Sequence, residues 1–300
     1  MANERSRKVS LFAPAKINLY LHVTGKRPDG YHELDSLVAF ADIGDDLTVT
    51  YSDHFEFEVD GPHAGNFSAQ EKDSGISSTN IVVRAASALA ESAGLDPCAR
   101  IHLTKNLPLA AGLGGGSSDA AAALKGLIKL WGLPPDASYL PPVLNALGAD
   151  VPITFHGRSG RILGIGQIIE PVPPLPELPV VLVNSLCPCP TREVFSHFQA
   201  GYKTPSALPE EFGDIISFTG FLNRMENDLT QPALAIVPEI EECLLALGVE
   251  DGCLLNRVSG SGASCFGIFA TVEESIAAAE SIQSEHPGWW VKYGLIKDRL

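Results

Sequence analysis

From Lys16 to Val23 apolar and polar residues alternate. Ile17, Leu19, Leu21 and Val23 fall on one face of an extended chain, and Lys16, Asn18, Tyr20 and His22 fall on the other. Residues 9–60 therefore predict strands, one of which presents a lysine and an asparagine side by side, away from its apolar face. Lys26 to Gly30 predicts a turn, from its proline, aspartate and glycine. Over residues 80–93 the spacing becomes helical, with Ile81, Val82, Ala85, Ala86 and Leu89 on one stripe and Gly94 as the stop. A strand follows from Arg100 to Lys105. Ile101 and Leu103 share parity with Lys105, so that lysine is expected to emerge where the buried face ends.

A glycine segment comes next, then a helix of about 14 residues with Ala120, Leu124, Leu127, Ile128 and Trp131 as its stripe. Lys125 and Lys129 lie on another face, and Gly132 and Pro134 end it. Gly148-Ala149-Asp150-Val151-Pro152 follows a short helical pattern and is expected to lead into a strand. The proline-rich stretch from Glu170 to Pro179 predicts a hinge. Beyond it the pattern predicts a strand at 180–184 and helices near 192–200, 213–222 and 238–247. The glycine turn Ser259-Gly260-Ser261-Gly262 lies between two strand-like runs. Thr271-Val272-Glu273-Glu274 is a capping box opening a late helix. Strands and helices alternate loosely without a tandem repeat, which predicts a mixed α and β chain of two domains.

The net charge of −15 argues against general affinity for nucleic acid or anionic membranes, which attract an excess of Lys and Arg. An anionic ligand would need a local site of backbone N–H groups or a few placed cations. The six cysteines form no C-x-x-C pair and read as free thiols in a reducing cytosol. The apolar stretch from Leu178 to Leu186 is far shorter than the roughly 20 residues a bilayer needs. Arg5, Arg7 and Lys8 make the N-terminus basic, but Lys16 and Asn18 interrupt the apolar run that follows, against a signal peptide. The expected location is cytoplasmic.

The strongest local chemistry is the strand, glycine loop and helix at 101–131. Gly112, Gly114, Gly115 and Gly116 let backbone N–H groups approach a ligand, and the helix start adds unpaired donors and the positive end of its dipole. Phosphate is the usual occupant of such a site. Ser117 and Ser118 offer hydroxyl donors or a cap. Asp119, in the expected first helical turn, either complements the dipole or serves a metal. No lysine precedes Ser117, so this is not a Walker A loop, and Ser117 stands where a dinucleotide fingerprint needs its last glycine. Positive charge must come from elsewhere, and Lys16 and Lys105 are the candidates. Taken singly, Asp150 reads as a turn residue, Lys16 as a solvated strand residue, and Tyr31-His32 as a loop tip.

As a set these segments resemble the GHMP kinases, the superfamily of galactokinase, homoserine kinase and mevalonate kinase. Ala13-Pro14-Ala15-Lys16-Ile17-Asn18-Leu19, the stretch Pro108 to Ser118, and Ser259 to Ser264 are similar to its three motifs. Gly30-Tyr31-His32-Glu33-Leu34, Gly148 to Pro152, and Pro190-Thr191 with Phe195 are most similar to the branch acting on 4-diphosphocytidyl-2-C-methyl-D-erythritol in the non-mevalonate isoprenoid route. The resemblance runs from about residue 11 to 270. It implies an α+β, two-domain GHMP kinase fold. Residues 1–165 would form a ribosomal-protein-S5-like, ATP-binding and catalytic domain, and residues 166–300 the C-terminal GHMP domain.

The implied reaction moves the γ-phosphate of ATP, accompanied by Mg²⁺, to the 2-hydroxyl of that acceptor. Lys16 and Asp150 take the catalytic positions. Pro108, Leu109, Ala110, Ala111, Gly112, Leu113, Gly114, Gly115, Gly116, Ser117 and Ser118 take the ATP-phosphate loop, with Lys105 near ATP. Tyr31 and His32 would meet the cytosine, one by stacking and one by hydrogen bonding, and Asn18, Thr191 and Phe195 would line the same pocket. Gly260, Ser261 and Gly262 form the turn of the third motif. The partners implied are small molecules, with neither nucleic acid nor membrane, for a monomer or homodimer. Ala110 and Ala111 stand where the family often has glycine, Asp119 where asparagine is also common, and Gly201 to Gly213 matches no motif. Two rivals remain: a GHMP kinase for a sugar, homoserine or mevalonate, and a non-catalytic nucleotide-binding regulator.

Overall fold

The computed structural model describes residues 7–75, 78–199 and 201–298, so Arg5 lies outside the described residues. Contacts divide the chain into two compact units that interleave along it. The first comprises the residues through Pro14, Gly44–Leu109 and Gly115–His156, and the second Ala15–Ile43, Ala110–Gly114 and Gly157 onward. Two long strands, β1 (Lys8–Lys26) and β2 (His32–Thr50), contribute to both. The turn joining them falls where Pro28, Asp29 and Gly30 predict it. Gly30 has φ +91°, and the Arg27 N–H donates to the Tyr31 carbonyl at 2.7 Å.

In the first unit, β4 (Arg100–Thr104) pairs antiparallel with the end of β2 and parallel with β3 (Glu56–Asp60). A short α1 (Ala69–Lys72) is followed by α2 (Ile81–Ala93), α3 (Gly115–Trp131), α4 (Leu140–Leu147) and α5 (Val151–His156). The ends of α2 follow its sequence: the Asn80 side chain accepts from Val82 N–H, and Gly94 closes the helix at φ +66°. Ala120, Ala123, Leu124 and Leu127 of α3 share a core with Val82, Ala86 and Leu89 of α2 and with Leu47, Val49, Ile101 and Leu103 of the strands. Small residues on α3 allow close approach; a Cβ on Gly126 would stand 2.6 Å from Val49 Cγ2.

Two expectations change here. Helix α3 spans 17 residues rather than about 14, because Gly115, Gly116 and Ser117 join it. Asp119 consequently lies past the first turn. Gly148 to Pro152 leads into α5, not a strand. Pro152 sits in the first turn of that helix, where its missing N–H has no intrahelical partner to lose.

In the second unit, β2 pairs with β5 (Gly160–Gly164), which pairs with β6 (Ile168–Glu170). Further along β2, Phe40 and Ala41 pair with β10 (Trp290–Lys297), and from it β7 (Leu178–Asn184), β9 (Cys265–Phe269) and β8 (Cys253–Val258) follow in antiparallel order. The helices are α6 (Thr191–His197), α7 (Ile215–Leu222), α8 (Thr230–Ile236), α9 (Glu239–Gly248) and α10 (Val272–Glu285). Every residue of β7 is buried, as an apolar run without alternation predicts. Helix α10 opens on the expected capping box of Thr271 and Glu274. Residues 171–177, expected as a hinge, instead form an irregular connection inside this unit. No helix among the described residues is long and apolar enough to cross a membrane.

Candidate functional site

In the second unit, three sequence-distant segments meet around the glycine loop. The Lys16 N–H donates to the Leu113 carbonyl at 2.8 Å, tying β1 to the loop. Gly112 and Gly114 hold φ of +72° and +61°, the left-handed region that glycine enters without penalty. A Cβ on Gly114 would stand 3.0 Å from Lys16 Cβ and 3.2 Å from its Cε, so the aliphatic stem of Lys16 runs against this turn. Lys16 is 5% exposed. It therefore does not sit on a solvated face. Both faces of β1 are buried here, because Asn18, Tyr20 and His22 are covered as well.

The late glycine turn closes on the same loop. Ser259 Oγ donates to the Gly112 carbonyl at 3.0 Å and accepts from the Asn18 N–H at 3.2 Å. The Ser264 N–H donates to the Ala111 carbonyl at 3.1 Å. Asn227 Nδ2 donates to the carbonyls of Gly260 (2.7 Å) and Val258 (2.8 Å) and braces the turn from behind. Gly260 and Gly262 both take positive φ, and the buried Ser261 shares a 2.8 Å hydrogen bond with Thr191 at the start of α6. Asn18 donates to Ser36 Oγ at 2.8 Å, yet its Oδ1 is buried without a hydrogen-bond partner. A buried acceptor left in this state costs about 1–3 kcal/mol. Such a cost persists where a ligand donor can meet it. Ala110 takes φ +50°, an orientation costing about 1 kcal/mol for alanine, which is the physical meaning of its departure from glycine.

The aromatic candidates divide. Tyr31 stands 62% exposed at the tip of the β1–β2 turn. His32 stacks on Phe195 with centroids 5.2 Å apart and planes at 19°. Burial, and secondarily the charge of Lys26, lowers the His32 pKa, so the ring is neutral near pH 7 and offers one donor and one acceptor. Phe198 meets His32 edge-on at 5.8 Å and was not anticipated. The three-residue spacing of Phe195 and Phe198 at the end of α6 is the signal that marks it.

In the first unit the structure sorts the remaining candidates. Pro108 and Leu109 lead toward the loop. The exposed Gly116 and the half-buried Gly115 and Ser117 form the first turn of α3, whose leading N–H groups have no intrahelical partners. Ser118 is buried, and its hydroxyl donates to the Pro14 carbonyl at 2.7 Å. Asp150 is half-buried immediately before α5. The Thr154 hydroxyl lies 3.0 Å from the Asp150 carbonyl and 3.2 Å from the Ser117 carbonyl. One hydroxyl thus joins the backbone of Asp150 to the start of α3.

Lys105 does not emerge at the end of a buried face. It is 1% exposed, and its Nζ lies 2.5 Å from Asp45 Oδ2 and 2.7 Å from Asp119 Oδ2. Burial opposes its charge, but Asp119 and Asp45 overcome that and raise its pKa. Asp45 Oδ1 also accepts from the N–H groups of Asn106 (2.6 Å) and Leu107 (2.8 Å). A Cβ on Gly115 would stand 3.1 Å from Lys105 Nζ, so the ammonium fills the space beneath the first residue of α3. Of the two candidate lysines, Lys16 accompanies the loop within its unit, whereas Lys105 is held by two carboxylates.

Asp119 is the strained member of this cluster. Burial pushes its pKa up to about 7, with the charge of Asp45 adding to the rise against the pull of Lys105. Since the folded value exceeds the ordinary 3.8, the folded state keeps a proton that the unfolded state releases, and stability falls as pH rises from about 4 to 7. Asp119→Asn is expected to flatten that slope and to gain stability relative to the parent protein as pH rises toward 8, because an amide takes up no charge for burial to oppose. Melting temperatures of both proteins from pH 5 to 8.5 check this, and parallel curves would count against it.

The profile of the GHMP kinases N terminal domain matches residues 80–158, and that of the GHMP kinases C terminal matches residues 206–288. The chain is 46% identical over 282 residues to a 4-diphosphocytidyl-2-C-methyl-D-erythritol kinase of Paramagnetospirillum magneticum, covering 94% of this chain and 96% of the other. This chain belongs to the 4-diphosphocytidyl-2-C-methyl-D-erythritol kinase family. A family member from Cereibacter sphaeroides is also 46% identical, over 94% of this chain and 96% of its own. The fold agrees: a crystal structure of a 4-(cytidine 5'-diphospho)-2C-methyl-D-erythritol kinase superposes with a TM-score of 0.78 at 32% identity, over 96% of this chain and 99% of that one. The chain is thus an ATP-using kinase of the GHMP class, with the α+β fold its motifs imply.

Proposed function

We propose that this kinase transfers the γ-phosphate of ATP to the 2-hydroxyl of 4-diphosphocytidyl-2-C-methyl-D-erythritol, a step of the non-mevalonate isoprenoid route. The observation that carries the reading is the joining of Lys16, residues 110–114 and the Ser259–Gly262 turn by direct hydrogen bonds, in a loop that runs into the N-terminus of α3. Backbone N–H groups at such a helix start favour phosphate. Lys16 supplies the cation that this loop lacks within its own sequence, and it offsets charge on the transferring group.

In the proposed step the acceptor O–H bond breaks and its proton passes to the Asp150 carboxylate. The freed oxygen bonds to the γ-phosphorus as the bond to the β-phosphate oxygen breaks, and ADP leaves. Lys105 serves the nucleotide indirectly, through the start of α3. His32 would hydrogen-bond the cytosine, Tyr31 and Phe195 would offer flat faces to it, and Asn18 and Thr191 would complete the acceptor pocket. No group of three or more His, Cys, Asp or Glu suited to a metal is present among the described residues. Mg²⁺ fits as an ion carried on the nucleotide phosphates and water, with few protein oxygens, where it neutralises phosphate charge. We place the reaction in the cytoplasm, where the six free cysteines would stay reduced, and assign a monomer or homodimer. The functional division falls near residue 165, with ATP binding and catalysis before it.

ADP release is the test, with Mg-ATP and each acceptor supplied in turn. Turnover is expected with the 4-diphosphocytidyl acceptor. Turnover only with mevalonate, homoserine or a sugar would refute the substrate assignment, and ATP binding without turnover on any acceptor would favour the regulator.

A further inference from the structure

Residues 201–213, which match no motif, contain no helix or strand, yet their backbone is held by charged and polar side chains of the second unit. The Lys203 N–H donates to the Val23 carbonyl of β1 at 2.9 Å, and Lys203 Nζ pairs with Glu226 and Asp228. Three residues on, the Ser206 N–H donates to Asp35 Oδ2 at 2.6 Å, and the Ser206 carbonyl accepts from Arg161 at 2.8 Å. Ser206 Oγ lies 3.0 Å from His22 Nδ1.

Asp35 is the centre of this arrangement. It is 0% exposed on β2, accepts from Arg161 Nε at 2.7 Å and its terminal nitrogen at 3.1 Å, and accepts from the Tyr20 hydroxyl at 2.9 Å. Burial would raise its pKa, but Arg161, the Ser206 N–H and Tyr20 together hold it below the ordinary carboxylate value. A buried carboxylate of this kind is tolerated only while its donors stay in place. One of those donors is the irregular segment itself, and the Arg161 guanidinium grips the same residue from its carbonyl side. The segment is therefore fastened to the strands that lead into the Tyr31-His32 turn.

Its leading end continues an aromatic row. Tyr202 stacks on Phe198 at 6.3 Å with planes 26° apart, Phe198 meets His32 edge-on, and His32 stacks on Phe195. Tyr202 is 55% exposed, so nothing in the core requires its ring.

We propose that residues 201–213 form a strap, locked by Asp35 and Arg161, which positions this aromatic row for the ring of the acceptor. Tyr202 and Phe198 are then positioning residues acting through His32 and Phe195. The acceptor's identity rests on the functional reading above; the lock does not.

The test uses the full chain with Arg161→Met, Arg161→Lys and Tyr202→Ala. Tyr202→Ala and Arg161→Met are expected to raise KM for the 4-diphosphocytidyl acceptor about tenfold, leaving kcat and KM for ATP within about twofold. Arg161→Lys keeps the charge without the fork and should recover part of the loss. Limited proteolysis within 201–213 should be faster in Arg161→Met and unchanged in Tyr202→Ala. Should Arg161→Met fail to fold, Arg161→Lys replaces it in the proteolysis, with an intermediate rate expected. An unchanged acceptor KM in Tyr202→Ala, a parallel rise in KM for ATP, or strap cleavage indifferent to Arg161 would overturn the proposal. Absence of turnover by the wild-type protein with this acceptor would refute the functional reading instead, whereas the proteolysis needs no acceptor and judges the lock alone.

Discussion

Asp150→Asn should lower kcat by about 10²–10⁴-fold while the protein stays folded. The expected loss follows from the proposed role: an amide cannot take the acceptor's proton, yet has almost the same shape as the carboxylate. Asparagine keeps the backbone hydrogen bonds made at this position. The Thr154 N–H and hydroxyl bond to the Asp150 carbonyl rather than to its side chain, and asparagine is as good as aspartate at a position preceding a helix. KM for ATP should move little, because the mutation leaves the glycine loop and Lys16 untouched. Steady-state ADP release, with a thermal melt as the folding control, checks this. Near-normal turnover would remove Asp150 as the base.

Gly112→Ala should abolish measurable ATP binding and destabilise the protein by about 3 kcal/mol or more. The new Cβ would stand 2.4 Å from the Ser259 carbonyl oxygen and 2.7 Å from that of Gly262. Both are backbone atoms of the turn that clamps the loop, so neither can swing aside as a side chain could. The φ of +72° adds the ordinary penalty of an L-residue in the left-handed region. Gly116→Ala is the matched control. Its Cβ would meet only Ile81 Cγ2 at 3.5 Å, an ordinary contact, within a regular helix. ATP titration and melting of both variants decide the matter. Equal tolerance of the two would mean that the Ser259–Gly262 clamp does not shape the loop.

Much of the architecture was legible one segment at a time. Asn80 and Gly94 bound α2, Thr271 and Glu274 open α10, and Pro28-Asp29-Gly30 makes the turn before Tyr31 and His32. Each of these signals is complete within a few residues, because capping and turn formation are decided by the nearest backbone groups. The glycine loop was legible for the same reason: positive φ at Gly112 and Gly114 is a local demand that glycine answers.

Pairing across the chain was not legible. Parity alone made Lys105 a surface lysine and gave β1 a solvated face, because alternation tells which residues share a side but not what covers that side. Asp45, sixty residues away, and Asp119 turn Lys105 inward. Val151-Pro152 suits a strand or the first turn of a helix equally well by local preference, and packing in the first unit chose the helix. The strap at 201–213 has no periodicity at all, since its partners are Asp35 and Arg161 rather than a neighbouring ladder. The sequence by itself determined the family, both ends of α2 and the start of α10, the phosphate-type loop and a short roster of polar candidates. Only the tertiary structure decided that Lys16 attends the loop while Lys105 is bound by carboxylates and Ser118 by a backbone carbonyl. Charge and hydrogen-bond partners come from residues that folding brings together, and burial makes each such pairing exclusive.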